Sequence, residues 1–339
     1  MTKMTIAEAL RQAIREEMQR DERVICLGED IGIEGGFGGA FTVTLGLSQE
    51  FGHDRILDTP ISETAIAGLA IGAAVAGMRP IADVQYGDFL FCMMDQLANQ
   101  AAKLRYMSGG TLSVPLVMRA PIGATARGAQ HAQSLEAFFA HIPGLKVASP
   151  ATAYDAKGLL KSAVRDDNSV LIFEHKLLYG SKGARSEKGA LSPVGEVPDE
   201  DYLVPFGVGE IRRPGKDVTI VANLLMLYRA LGAADSLYRL GIEAEVIDPR
   251  TLVPLDKELI LGSVRKTGRL VIVEEDNLTN GWGAEIAAIV ADEAFVWLDA
   301  PIKRVAAPDV PPPFAPALER EYVPGEQKIV DTVRSLFQE

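Results

Sequence analysis

At 339 residues, 47% hydrophobic and 24% charged, the chain has the make-up of a globular protein of two domains, at about 150 residues per domain. Its formal charge of −12 and the lack of any Lys/Arg-rich run exclude the basic face that nucleic-acid binding needs. Two cysteines, Cys26 and Cys92, are too few for a disulfide framework or a cysteine-rich metal site, and both read as buried small hydrophobes in a reducing compartment.

Residues 5–20 place Ile6, Leu10, Ile14 and Met18 four apart, which predicts a helix with one apolar stripe. A strand Val24-Ile25-Cys26-Leu27 stops at Gly28-Glu29-Asp30, and residues 32–39, with five glycines, predict a mobile or tightly turned loop. An extended Arg55-Ile56-Leu57, a small-residue helix over 64–76, a strand through Pro80-Ile81-Ala82-Asp83-Val84 and a long helix over 91–106 follow. Strands at 115–119, 146–148 and 170–173 complete the first half. Over 179–205 the periodicity lapses, which reads as an interdomain linker. A second series then alternates strand 217–222, helix 226–239, strand 243–247, helix 256–265, strand 269–273 and helix 282–293. The tail carries Pro311-Pro312-Pro313 and a helix near 327–337. Such alternation predicts an α/β chain of two domains, each a largely parallel sheet with helices on both faces, over 1–180 and 206–339 with a linker at 181–205. No stretch approaches about 18 uninterrupted apolar residues, so no membrane span is predicted. Residues 1–23 have no apolar run of signal-peptide length, which predicts a cytoplasmic protein.

Nucleotide signatures fail. Gly35-Gly36-Phe37-Gly38-Gly39 lacks the G-x-G-x-x-G spacing, and residues 123–128 have P-loop glycine spacing but continue Ala129-Gln130 where Lys and Ser/Thr are required. The stretch Asp58-Thr59-Pro60-Ile61-Ser62-Glu63 is more informative, because it sets a carboxyl at a strand-to-helix corner among apolar neighbours. Ser62 can cap the helix, while the helix dipole favours the Glu63 anion and the apolar setting opposes it. Glu63 therefore reads either as a capping carboxylate or as a proton-sharing group. His131, in a small-residue loop just before a helical pattern, reads as a proton-transfer group or as incidental. His141, on an aromatic helix face, looks like a packing residue or one that supports a site from behind. His53 and His175 are weaker candidates, and no pair has H-E-x-x-H spacing. Phe89, at a strand end where ligands sit in α/β sheets, reads as a stacking platform or, taken alone, as core.

Taken in order, Leu27-Gly28-Glu29-Asp30, residues 58–63, Gln96-Leu97-Ala98-Asn99-Gln100-Ala101-Ala102-Lys103, Arg105-Tyr106-Met107-Ser108-Gly109-Gly110, Gln130-His131-Ala132-Gln133-Ser134 and His141-Ile142-Pro143-Gly144-Leu145-Lys146-Val147 closely resemble the β subunit of the thiamine-diphosphate-dependent E1 component of 2-oxo acid dehydrogenase complexes. Residues 246–256 and 266–271 resemble the same family's transketolase-type C-terminal domain. The resemblance implies a thiamine diphosphate site shared between subunits, with this chain giving the aminopyrimidine half through Glu29, Ile61, Glu63, Gln85 and Phe89. In it Glu63 matches the cofactor-activating glutamate, Phe89 the aromatic that stacks on the pyrimidine, and Ile61 a residue flanking that ring. His131 matches the histidine that serves proton transfer and meets the lipoyl group of E2. Leu116, Ala163, Asp166 and Asn168 match positions whose carbonyls hold an alkali cation such as K⁺ in some members.

The chain has no Gly-Asp-Gly followed by Asn about thirty residues on, the pair of signals that holds Mg²⁺ and the pyrophosphate, because Gly87-Asp88-Phe89 breaks the pattern. The resemblance thus implies an α₂β₂ assembly in which a separate E1 α subunit holds Mg²⁺. The assembly would decarboxylate a pyruvate-like 2-oxo acid or cleave acetoin and pass the acyl group to E2. Glu174-His175-Lys176-Leu177-Leu178-Tyr179 resembles the acetoin-cleaving type, whereas Gln130 differs from the His-His often found in the branched-chain type. A branched-chain E1 β subunit and a noncatalytic α/β scaffold are the competing readings; a self-sufficient transketolase has no room for its own diphosphate domain.

Overall fold

The computed structural model describes residues 1–33, 35–180, 191 and 193–337, so residues 181–190 and 192 of the expected linker lie outside the described residues. The strands are β1 (Thr2–Thr5), β2 (Val24–Gly28), β3 (Ile56–Asp58), β4 (Arg79–Asp83), β5 (Val117–Ile122), β6 (Lys146–Ala148), β7 (Val170–His175), β8 (Val194–Val197), β9 (Glu210–Arg213), β10 (Val218–Ala222), β11 (Ala244–Asp248), β12 (Thr251–Val253), β13 (Leu270–Asn277) and β14 (Lys303–Ala307).

Two large sheets take all of them but β1 and β8, which pair with each other. The first runs β12-β6-β7-β5-β4-β2-β3, with β6, β7, β5, β4, β2 and β3 parallel. The second runs β14-β13-β10-β11-β9, parallel except for edge strand β9. Runs such as Val24–Gly28 and Val170–His175 are buried at every position, as expected of strands covered on both faces. The first helix, Ile6–Arg20, starts at a Thr5/Glu8 capping box and packs on Ala153–Arg165, where Glu16 takes Lys157 at 2.8 Å and Glu17 takes Arg165 at 2.6 Å.

Several expectations need correction. The single long helix over 91–106 is three pieces, a 3₁₀ run Gly87–Met93, a π-type run Asp95–Ala101 and a short α-helix Leu104–Met107. Within the expected linker, β8 is a strand that pairs antiparallel with β1, so the segment is held to the N-terminus by a backbone ladder that composition does not announce. Cys92 is exposed, whereas Cys26 is buried and its thiol is pushed up to about 12 by burial. The glycine-rich loop is tightly turned: Gly39 N–H donates to Asp30 O at 2.9 Å and Thr44 N–H to Gly38 O at 3.2 Å.

The two halves are joined by more than a connecting segment. Strand β12 comes from the second half and completes the first sheet against β6. Tyr228 Oη donates to Ala151 O at 2.8 Å, and Asn223 Nδ2 to Glu136 Oε1 at 3.2 Å. Two carboxyls are buried at this junction. Burial, with the nearby Asp276 charge adding, pushes Glu136 up to about 8. Burial also pushes Asp276 up to about 7, against donors from Asn277 and Ala137.

Both carboxyls hold protons in the folded chain at pH values where the unfolded chain has lost them. Stability therefore falls as pH rises through the window from the ordinary carboxyl range to about 8. The lowered carboxyls, Asp21 and Asp201 at about 2, titrate below that window. Thermal unfolding followed by calorimetry should give a lower Tm at a pH of about 8.5 than at about 6. Glu136→Gln, which keeps the acceptor for Asn223, should flatten that slope.

Candidate functional site

In chain order the first parallel strands run β2, β3, β4, yet β3 and β4 lie on opposite sides of β2. The chain reverses direction across the sheet there, and the loops leaving β2 and β4 diverge to leave a crevice at their carboxyl ends, where α/β sheets bind ligands. Gly28 closes the floor of that crevice: a Cβ on it would lie 2.7 Å from Asp83 O of β4, so only glycine permits the two strands to approach so closely.

The positions that the resemblance implies for the pyrimidine and for proton transfer all lie in segments that leave this edge. Glu29 follows β2, Ile61 and Glu63 follow β3, Gln85 and Phe89 follow β4, and His131 lies in the loop after β5. Gln85 Nε2 donates to Glu29 O at 3.1 Å, tying the two lips together. Glu29 and Glu63 are half-buried. Burial first, then the Glu63 charge, raise the Glu29 carboxyl above its usual range, with Asp30 and Asp83 adding. The Glu29 carboxyl thus favours its protonated form more than a solvated glutamate does.

Glu63 opens the helix Glu63–Val75, but the Ser62 side chain makes no capping hydrogen bond, contrary to expectation. Ser62 sits at φ −164° and ψ 85°, and the helix start is tied instead by Thr64 Oγ1 donating to Cys92 O at 2.8 Å. The first-turn amides are thus left to favour an anion at the helix start. Ile61 is 81% exposed, an apolar side chain turned out beside the crevice. Phe89 is half-buried and meets Tyr86 and His131 edge-on, at centroid distances of 5.9 and 5.4 Å; Tyr86 meets His131 at 5.0 Å. The buried Thr59 Oγ1 and Asp88 Oδ2 have no hydrogen-bond partner among the described residues. The crevice thus holds an aromatic face, paired carboxyls and unmet polar atoms, a set that fits a flat, nitrogen-bearing heteroaromatic ring such as an aminopyrimidine.

Beneath it, Arg119 on β5 bridges Glu174 on β7, at 2.9 and 2.6 Å, and Asp83 on β4. Burial pushes Asp83 up to about 6 against the pull of Arg119. His175, ranked low on sequence, is 2% exposed and bonds Glu275 of β13 at 2.8 Å. Its partner lies 100 residues away in sequence, a pairing that no local pattern could signal. His141, expected to pack, is exposed and lines an interdomain cavity of about 960 Å³ with Asp276 and Trp282.

Leu116, Ala163, Asp166 and Asn168 gather elsewhere, where β5 and β7 begin. Leu116 O accepts from Val170 N–H at 2.8 Å, Ala163 O from Asp166 N–H at 3.2 Å, and Asp166 O from Arg79 at 3.0 Å. Burial opposes ionisation of the Asp166 carboxyl, but Lys146 and both Asn168 donors hold it below its usual range. The Asp166 carbonyl thus already accepts from the Arg79 guanidinium, while Lys146 bonds the Asp166 carboxyl. Among the described residues, no three His, Cys, Asp or Glu side chains group to hold a metal, and no helix is long and apolar enough to cross a membrane.

The family models for the transketolase pyrimidine-binding domain and the transketolase C-terminal domain match residues 2–182 and 207–329. The chain is 48% identical over 340 residues to the acetoin:2,6-dichlorophenolindophenol oxidoreductase subunit beta of Cupriavidus necator, covering 98% of this chain and 97% of that one. It is 46% identical to the 2-oxoisovalerate dehydrogenase subunit beta of Bacillus subtilis, covering 99% of each. To the pyruvate dehydrogenase E1 component subunit beta of Rickettsia felis it is 45% identical, covering 98% of each. A solved split-gene transketolase, described as an inactive beta4 tetramer, superposes with a TM-score of 0.78 at 25% identity over 99% of this chain and 98% of that one. The crevice thus sits in a transketolase-type pyrimidine-binding domain, and the chain belongs to the family of 2-oxo acid dehydrogenase E1 β subunits.

Proposed function

We propose that this chain supplies the aminopyrimidine half of a thiamine diphosphate site completed by a separate E1 α subunit in a cytoplasmic α₂β₂ assembly. The α subunit would hold Mg²⁺ and the diphosphate. The assembly would decarboxylate a short 2-oxo acid or cleave acetoin, then deliver the acyl group to the lipoyl group of an E2 core. The single observation that carries this reading is the convergence of Glu29, Glu63, Gln85, Phe89 and His131 at one reversal of strand order. Bound thiamine diphosphate would supply the electron sink that a 2-oxo acid needs to lose carbon dioxide.

Each residue then has a task. Glu63 offers its carboxyl to a pyrimidine ring nitrogen for proton sharing, beside the Glu29 carboxyl, which burial and then the Glu63 charge raise above its usual range. Phe89 offers a face for stacking, and Ile61 covers the ring edge. His131, held edge-on by Tyr86 and Phe89, carries a proton on the acyl side. The lean towards a short acyl group rests on residues 174–179, which resemble the acetoin-cleaving type, and on Gln130 before His131.

The deciding experiment is co-purification with the α partner, then assay on pyruvate, acetoin and branched-chain oxo acids. This chain alone, given thiamine diphosphate and Mg²⁺, should show no decarboxylation, and measurable turnover by it would overturn the proposal. In the reconstituted assembly, Glu63→Gln should lower kcat by about 100-fold or more, since shape stays and proton sharing goes. A scaffold role predicts instead no change. His131→Ala should cost about ten-fold or more with a lipoyl acceptor and clearly less with an artificial dye acceptor. Equal losses with both acceptors would remove His131 from acyl transfer.

A further inference from the structure

The segment that carries His131, residues 123–133, has little structure of its own. Gly123, Ala126 and Gly128 all have positive φ, at 94°, 55° and 81°, and its base is closed by one backbone bond, Gly123 N–H to Gln133 O at 3.3 Å. A loop of this kind samples many geometries unless something outside it supplies partners.

Asp88 Oδ1 accepts from Gln133 Nε2 at 2.7 Å, and further partners come from the other half of the molecule. Ala124 N–H donates to Glu275 Oε1 at 2.6 Å, and Ala126 N–H donates to Glu319 Oε2. Glu275 sits on β13 and Glu319 on the helix Pro316–Tyr322, both in the transketolase C-terminal part of the chain. The second oxygen of Glu275 bonds His175 Nε2 at 2.8 Å. His175 Nδ1 accepts from Leu177 N–H at 3.1 Å, so Nε2 carries the proton and donates to the carboxylate. Gly123 lies against that imidazole: a Cβ on it would sit 2.1 Å from His175 Nε2, so the ring fits only beside glycine. The residue after His175, Lys176, donates from Nζ to the carbonyl of His131 itself, and its ammonium lies 5.0 Å from the Tyr86 ring centroid.

We infer that Glu275 is a positioning residue for the reaction: through Ala124 and the His175–Lys176 turn, the second domain sets where the His131 imidazole stands, with Glu319 as a second tie. The inference rests on the thiamine reading above for the task of His131, but the clamp is a property of this chain alone. Glu275 touches neither substrate nor cofactor, and its effect passes through the loop. Displacing a proton-transfer group by about 1 Å can cost about 100-fold in rate, so a carboxylate that fixes the loop acts on kcat and not on binding.

Glu275→Gln tests it, because the amide can still accept from Ala124 or face His175 but cannot accept from both. In the reconstituted assembly, kcat with a lipoyl acceptor should fall about ten-fold, while KM for the oxo acid and the apparent affinity for thiamine diphosphate stay within about two-fold. In a His131→Ala background the same change should cost less than about two-fold, since the group being positioned is gone. Hydrogen exchange at the Ala124 and Ala126 amides, measured on this chain alone, should speed up about ten-fold or more. Unchanged protection of both amides, or an equal loss in the His131→Ala background, would overturn the inference. Should Glu275→Gln not fold, Glu319→Gln, on a half-exposed helix, is subjected to the same measurements with the same criteria. If the wild-type assembly shows no turnover, the thiamine reading fails, and the exchange experiment still decides whether the clamp exists.

Discussion

Arg119 is a guanidinium that is 2% exposed in the middle of the first sheet, and the carboxylates of Glu174 and Asp83 close around it. Burial works against its charge, and those two carboxylates more than offset the loss of water. Tyr179 donates to the same Glu174 and stacks on Phe41 at 4.5 Å, which extends the network outward. Removing one member of such a group leaves an uncompensated buried charge, worth about 3–5 kcal/mol. The bridge spans β4, β5 and β7, and those three strands launch Gln85 and Phe89, the His131 loop, and the His175–Lys176 turn. The relative placement of these groups is therefore fixed from below, by charge in a low-dielectric sheet, before any ligand contributes.

Above that floor the two domains divide the work. The pyrimidine-binding domain presents the crevice and its polar atoms, while the second domain steadies the loop that leaves β5. Their junction is built from groups that need each other: β12 extends a sheet begun in the other half, and Glu275 accepts from Ala124 N–H in the His131 loop and from His175 Nε2 at the end of β7. Buried carboxyls at the same junction, Glu136 and Asp276, make the contact sensitive to protons. Ile61 stays exposed beside the crevice.

Much of the architecture was legible in the residues. Period-four apolar spacing placed the helix Ile6–Arg20, and β-rich runs placed nine strands of the two large sheets but not β9, β12 or β14, because burial on two faces writes itself into composition most clearly in the sheet interior. The 91–106 helix misled, since a continuous apolar pattern does not encode the switch from 3₁₀ to π winding over Gly87–Ala101. Cys92 and His141 were misplaced for a related reason: their neighbours are apolar in sequence, but the turns that carry them face outward. Ser62 has the right identity and position for a cap, and its backbone direction withholds the hydrogen bond.

By itself, then, the amino-acid order determined the alternation of strands and helices, the family, and the residue types Glu63, Phe89 and His131 as candidates, because periodicity and short motifs are local properties of a chain. Only the tertiary structure decided which of them share one crevice, that Glu29 and Glu63 repel across it, that Arg119 underlies it, and that Glu275 and His175 grip the His131 loop. Those facts depend on strand order and on contacts between residues as much as 151 positions apart, and pairings of that range leave no trace in any window of sequence.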